Sequence, residues 1–174
     1  MIARNDPMSN TRVVFASCVK NCAGALPRLL NNLSRVSILF AESAFIFVEN
    51  DSTDSTKVVI RAWCRDKPNA RLITLDGLDA SCPVLTIRLE TARNLYISEI
   101  CSHFSSFDYL FVLDCDERAE SIDPDALSRA IECQATKLAR ASSVIAEAHI
   151  TICGRYVIRP IVPEISGRKC VIMR

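Results

Sequence analysis

Asp114-Cys115-Asp116-Glu117 follows directly on the apolar run YLFVL. Strand side chains alternate between faces, so Asp114 and Asp116 can point the same way as the chain leaves the strand. Two carboxylates sharing a site repel each other and need a cation. A hard divalent ion, held by one or two carboxylates and completed by phosphate oxygens and water, suits that arrangement. Read more plainly, the same residues make a polar turn at the end of a buried strand. A second segment, Glu49-Asn50-Asp51-Ser52-Thr53-Asp54, closes another apolar run. Asp51, Ser52 or Asp54 can cap a following helix. Glu49, at the strand's end, can accept from ribose hydroxyls or a base N–H, next to helix-start N–H groups that favour anions. A third segment, RLETARN, carries Arg88, Arg93 and Asn94. Its guanidinium groups can neutralise a departing diphosphate or simply face solvent.

Strands alternating with helical segments must position these residues. Arg12–Cys18, Ala44–Glu49, Arg71–Leu75 and Asp108–Leu113 read as short buried strands. Leu26, Leu29, Leu30 and Leu33 fall on one helical face, with Pro27 in the first turn. Thr56–Asp66 reads as a helix stopped before Pro68, and Thr86 to Phe104 as another, marked by Leu89, Ala92, Tyr96 and Ile100. Asp123-Pro124 is an N-cap and N1 pair, opening a helix through about Ala141 with Leu127, Ala130, Ile131 and Leu138 inward. Ser143–Arg174 reads as two strands around Cys153-Gly154 and an irregular end. The pattern indicates βαβ units and a parallel sheet covered on both faces. Ligands of such sheets bind beyond the carboxyl ends of the strands, where Lys20, Asn21, Glu49 to Asp54, Asp76 and Asp114 to Glu117 would all collect.

Composition narrows the classes. The 174 residues are 49% hydrophobic and 24% charged, enough for a packed domain. Twenty-one basic side chains against 20 acidic ones argue against a nucleic-acid surface, and 16 of the 21 are Arg. The longest apolar run, Val36 to Val48, has 13 positions with Ser and Glu inside; a span needs about 20, so no transmembrane segment is expected. The first ten residues have no apolar stretch of the secretory kind. Nine cysteines stand without a C-x-x-C pair and far from His103 and His149. Structural zinc is therefore not expected, and the thiols read as buried and free in a reducing, cytoplasmic setting.

Taken together, the segments resemble GT-A glycosyltransferases, the family 2-like group most closely, over about Val13 to Ser121. CVKNCAGALPRLLNNL looks like the group's first strand-loop-helix, FIFVENDSTDST like its acidic nucleotide-binding segment, RLETARN like its Arg-bearing helix and YLFVLDCDE like its D-x-D strand. The resemblance implies an α/β fold: a Rossmann-like, mostly parallel sheet flanked by helices, with a short C-terminal hairpin or irregular end. It implies Asn21 near the donor nucleotide, Glu49 and Asp51 at base and ribose, Arg88 and Arg93 at the diphosphate, Asp114 near the ribose, and Asp116 on Mn²⁺ or Mg²⁺. The partners implied are a nucleotide-diphosphate sugar and a glycan or other acceptor. Asn50 stands where the group usually has Asp, and Asp51 and Ser55 where it often has Gly. Glu147, Glu164 and His149 match a catalytic base by residue type alone, so the base is unassigned. Only 58 residues follow Asp116 (174 − 116). Residues 1–174 are thus expected to be a single GT-A-like domain without a complete acceptor half, its end short as a truncation or frameshift would leave it.

Rival readings are a nucleotide-sugar-binding pseudoenzyme, a haloacid-dehalogenase-like phosphatase with Asp114 as nucleophile, a sugar-phosphate nucleotidyltransferase and a plain α/β interaction module. Arg118 stands where the phosphatase family expects Thr or Val, and the nucleotidyltransferase needs a Gly-rich loop that four glycines do not supply.

Overall fold

Alternation along the first strand sets up the architecture. Val13 and Phe15 face one way, Val14 and Ala16 the other, and all four are buried. Such a strand must be covered on both sides, and this is what the computed structural model shows. It describes residues 7–115, 124–125, 127–129, 131–132, 150–152, 156–162 and 171–172. Strands β1 (Arg12–Val19), β2 (Glu42–Asn50), β3 (Ala70–Leu75) and β4 (Tyr109–Leu113) are parallel, in the order β3-β2-β1-β4. The chain therefore builds outward from β1 through β2 to β3, then returns to lay β4 on the other side of β1. Beyond β4 the sheet continues antiparallel with β6 (Tyr156–Val162) and β5 (Ile150–Ile152), and β7 (Val171–Ile172) pairs with β6. The fold is a Rossmann-like α/β sheet, mostly parallel in its core, with an antiparallel β5–β6 pair at its edge.

Helices α1 (Leu26–Ser37) and α2 (Thr56–Cys64) cover one face. Leu26, Leu29, Leu30 and Leu33 of α1 and Ile60 of α2 pack there on Phe15, Phe45, Phe47 and Phe111. Pro27 lies in the first turn of α1, where its missing N–H leaves no bond unmade. Phe15 stacks on Phe45 and Phe111 at 5.5 and 5.3 Å between ring centres, with Phe40 at 6.1 Å. Trp63 meets Phe45 edge-on at 4.9 Å. The opposite face takes α4 (Leu85–His103), which buries Ala92, Tyr96 and Ile100 against Val14, Ala16, Ile46 and Leu110. Arg12 fixes the start of the sheet from two sides: its N–H donates to Asp108 Oδ2 at 2.7 Å, and its carbonyl accepts from the Asp108 N–H.

Several expectations need adjusting. The second helix ends at Cys64 rather than Asp66, because the Arg65 and Lys67 N–H groups turn back onto the Ala62 and Cys64 carbonyls ahead of Pro68. Leu89 is only half-buried, although Ala92, Tyr96 and Ile100 are buried as the spacing requires. A four-residue helix, α3 (Leu78–Ser81), was not anticipated and buries none of its side chains. The thiols expected to be buried are free at all six described positions, but Cys22 alone of these is buried; Cys18, Cys64, Cys82, Cys101 and Cys115 are partly open. Pro124 is helical, and Leu127 and Ile131 join the α1/α2 core. Asp123, Ala130 and the continuation through Ala141 lie outside the described residues, as do Cys133, Cys153 and Cys170. Among the described residues no helix is long and apolar enough to cross a membrane.

Phe15→Ala removes the ring at the centre of the aromatic stack and should lower unfolding stability by about 3–5 kcal/mol. Urea denaturation measures it; a loss below about 1 kcal/mol would mean the site collapses around the gap.

Candidate functional site

The carboxyl ends of β1, β2, β3 and β4 open onto one edge of the sheet. The strand order reverses between β1 and β4, the position at which open α/β sheets form a ligand crevice. What happens at this edge begins with backbone groups that need partners. The β1–α1 loop passes through Asn21 and the β2–α2 loop through Asp51, both at positive φ (47° and 48°), which Asn and Asp tolerate better than most residues. Asn21 donates its N–H to Ser52 Oγ at 3.0 Å, and its side-chain carbonyl accepts from the Thr53 N–H at 2.8 Å. Cys22 N–H donates to Thr56 Oγ1 and Ala23 N–H to Asp54 Oδ2. Asp54 Oδ1 also accepts from the Thr56 N–H at the start of α2. The two loops are thereby latched together.

Glu49 belongs to this scaffold. Its side chain has no solvent exposure, Oε1 accepts from the Ser52 N–H at 2.7 Å, and Oε2 has the Lys57 ammonium 3.4 Å away. Lys57 also pairs with Asp76 at the end of β3. Strand parity explains the burial: Phe45, Phe47 and Glu49 share the face that α1 and α2 cover. The Asp51 carboxylate accepts from the Gly77 N–H at 2.6 Å and the Asp79 N–H at 2.7 Å, and so carries the β3–α3 turn. Gly77, at φ 82°, is where that turn needs a left-handed residue.

A different set of residues faces the crevice on the α4 side. Leu110, Val112 and Asp114 alternate onto that face, and Asp114 is exposed. Cys115 points the other way, into the α1/α2 core, with its sulfur 3.0 Å from Ser17 Oγ; that hydroxyl donates to the Leu113 carbonyl. This contact fixes the direction in which Asp114 leaves the strand. Burial pushes the Cys18 thiol up to about 11, partly offset by the Arg93 guanidinium and reinforced by the Asp114 carboxylate. Arg93, Cys18 and Asp114 therefore share one electrostatic neighbourhood. The neighbouring Cys22 and Cys115 thiols perturb each other: Cys115 lowers the Cys22 pKa, and Cys22 together with burial raises that of Cys115. Arg88, one and a half turns before Arg93 on α4, has its Nε 3.3 Å from Asp79 Oδ1 and donates to the Cys82 carbonyl at 3.2 Å. Lys20 pairs with the other Asp79 oxygen, and Asn50 Nδ2 donates to Oδ1 at 3.1 Å.

Of the residues singled out from the sequence, Asn21, Glu49 and Asp51 are joined through loop and turn hydrogen bonds, Arg88 sits on the Asp79 cluster, and Arg93 and Asp114 act in opposite directions on the Cys18 thiol. Asp116, Glu117, Arg118, Glu147, His149 and Glu164 lie outside the described residues. Lys57 and Asp79 escaped the sequence reading; their signal is a charged residue one or two places past a loop that closes a strand, which is common on any surface. The exposed Asp114 carboxylate is an oxygen donor of the kind a hard divalent cation takes, leaving other positions to phosphate and water. Among the described residues no three His, Cys, Asp or Glu side chains are grouped to hold a metal alone.

Two tests separate scaffold from site. Glu49→Ala leaves the Ser52 N–H and the Lys57 ammonium without their buried acceptor, and should cost on the order of 3 kcal/mol in urea unfolding. A change below about 0.5 kcal/mol would return Glu49 to the candidate ligands. The backbone donors Asp79 and Gly77 hold the Asp51 carboxyl below its ordinary 3.8, and the hydroxyl and N–H of Thr56 do the same for Asp54. The unfolded chain therefore binds protons first, and stability is full above the ordinary carboxyl range and lost as pH falls through the lower folded values. Asp51→Asn and Asp54→Asn should each flatten the decline in urea midpoint below about pH 4. Variants declining in parallel with wild type would refute this.

No family model and no curated protein matches the chain. Among solved structures, S. aureus TarS 1-349 aligns with 70% of the chain at 17% identity and a TM-score of 0.47. The mannosyltransferase PcManGT from Pyrobaculum calidifontis, in complex with GDP-Man and Mn²⁺, aligns with 73% at 20% identity and a TM-score of 0.48. The chain spans about a third of the length of each, 32% and 33%. These are likenesses of backbone arrangement and give no residue a role.

Proposed function

We propose that the chain is the donor-binding part of a metal-dependent glycosyltransferase. It would bind a nucleotide-diphosphate sugar in the β1–β4 crevice and pass the sugar to a glycan or other acceptor. One observation supports the reading: on the α4 side of the carboxyl edge Lys20 and Arg88 are gathered on Asp79, while Arg93 and Asp114 both act on the Cys18 thiol at the end of β1. That set pairs cations for a diphosphate with a hard oxygen donor for a divalent ion. When the glycosidic bond breaks, negative charge gathers on the leaving diphosphate. Arg88 and Arg93 at that position bind the transition state more strongly than the ground state, and this difference accelerates the reaction. Asp114 and Asp116 would hold Mn²⁺ or Mg²⁺, which supplies further neutralisation of the leaving group when bound. Residues 1–174 would form one such domain, in the cytoplasm.

Binding without transfer is a second reading, favoured by a specific feature. Glu49, Asp51 and Asp54 each accept backbone N–H groups within the loops, so these three carboxylates are committed to structure rather than free to take a proton from an acceptor hydroxyl. Release of free UDP or GDP from a sugar donor on adding candidate acceptors supports transfer; donor binding with no release supports the second reading.

Calorimetric titration with UDP and GDP, with and without Mn²⁺, tests the shared donor site. Metal-dependent binding is expected, and Asp114→Asn should weaken it about tenfold or more, the cost of losing one charged ligand. Absence of metal-dependent heat with either nucleotide would overturn the proposal.

A further inference from the structure

Asp79 occupies the middle of the cation cluster. Its Oδ2 pairs with the Lys20 ammonium, while Oδ1 accepts from Asn50 Nδ2 at 3.1 Å and lies 3.3 Å from Arg88 Nε. The three donors come from three elements: the β1–α1 loop, the end of β2, and α4. They have in common that one carboxylate holds them. Paired anionic oxygens meeting an ammonium, an amide and a guanidinium are also what a diphosphate offers to such donors.

We infer that Asp79 is a resident counter-anion, displaced when the diphosphate of the nucleotide donor enters, so that Lys20, Asn50 and Arg88 become diphosphate ligands and Asp79 sets the affinity. This deepens the proposed donor-binding reading and rests on it. A diphosphate and the Asp79 carboxylate cannot both sit against Lys20 and Arg88, because like charges at that range repel. Displacement is structurally cheap. Helix α3 has four residues, none buried, so moving the Asp79 side chain opens no cavity. The α3 turn keeps its own anchor, the Asp51 carboxylate on the Gly77 and Asp79 N–H groups, whether or not the Asp79 side chain stays in place. In the ligand-free chain the carboxylate also screens Lys20 from Arg88 and holds both at the crevice.

The test is calorimetry with inorganic pyrophosphate, UDP and GDP on wild type, Asp79→Asn and Lys20→Ala. Removing the competing charge should tighten binding of all three ligands roughly fivefold, as expected for a partly exposed charge contact, and Lys20→Ala should weaken it by a similar factor. Wild type that binds nucleotide while Asp79→Asn binds equally or more weakly overturns this inference and leaves the donor site standing. No binding by any of the proteins removes both. Should Asp79→Asn fail to fold, the ¹³C signal of the Asp79 carboxylate in wild type decides: it must shift on saturation with pyrophosphate, and an unmoved signal overturns the inference.

Discussion

Sealing both faces of a parallel sheet leaves one kind of place for polar chemistry, the ends of the strands. Val13 and Phe15 lie under α1 and α2, Val14 and Ala16 under α4, and the same division runs through β2 and β4. A charged group placed along these strands would lose its hydration without gaining a partner. At the carboxyl edge the chain emerges into loops whose N–H groups are no longer satisfied by the sheet ladder, and each left unpaired in a half-buried loop would cost about 1–3 kcal/mol. The edge therefore demands acceptors before it can offer anything to a ligand. Glu49, Asp51, Asp54 and the Asn21 side chain are those acceptors.

This divides the edge into two parts with different work. On the α1/α2 side, carboxylates accept backbone N–H groups and pair with Lys57, and they link the β1, β2 and β3 ends into one rim. On the α4 side, Arg93 and Asp114 remain outward, and Arg88 and Lys20 are held by a single carboxylate. The division follows from parity. Cys115 goes into the core against Ser17, so Asp114 goes out on the opposite face; Glu49 goes under α2, so Asn50 goes to the α4 side and reaches Asp79.

The same parity explains what could be read from the sequence. The strands, the first helix and the crossover helix were legible because long apolar runs and the Leu26-Leu29-Leu30-Leu33 spacing leave little choice. The exposed Val84, Leu85 and Ile87 blurred the beginning of α4, since apolar side chains there face water rather than the core. Helix α3 left no periodic trace; four residues without a buried side chain form there because Asp51, 28 positions before Asp79 in the chain, accepts the turn's N–H groups. At the site, residue type was legible and engagement was not. Glu49 and Asp114 both close apolar strands and look equivalent in one dimension, yet one is wholly buried and the other exposed. What separates them is the helix that covers each face, a long-range fact that local spacing does not encode.

The cation cluster also bears on selectivity. An anion that replaces Asp79 must match three contacts drawn from Lys20, Asn50 and Arg88, and must do so while displacing a carboxylate already bound to them. A single carboxylate ligand gains nothing in the exchange, because it returns the contacts that it removes. A monophosphate adds charge but presents its oxygens from one centre, and the donors approach from three separate elements. A diphosphate spreads its oxygens over two linked centres and carries more charge than the side chain that it displaces. It could therefore keep Lys20 and Arg88 engaged after the exchange. On this inference the resident carboxylate would act as a threshold: weak or singly charged anions would leave the rim as it is, and the ligand able to exchange would be one with the charge and span of a pyrophosphate.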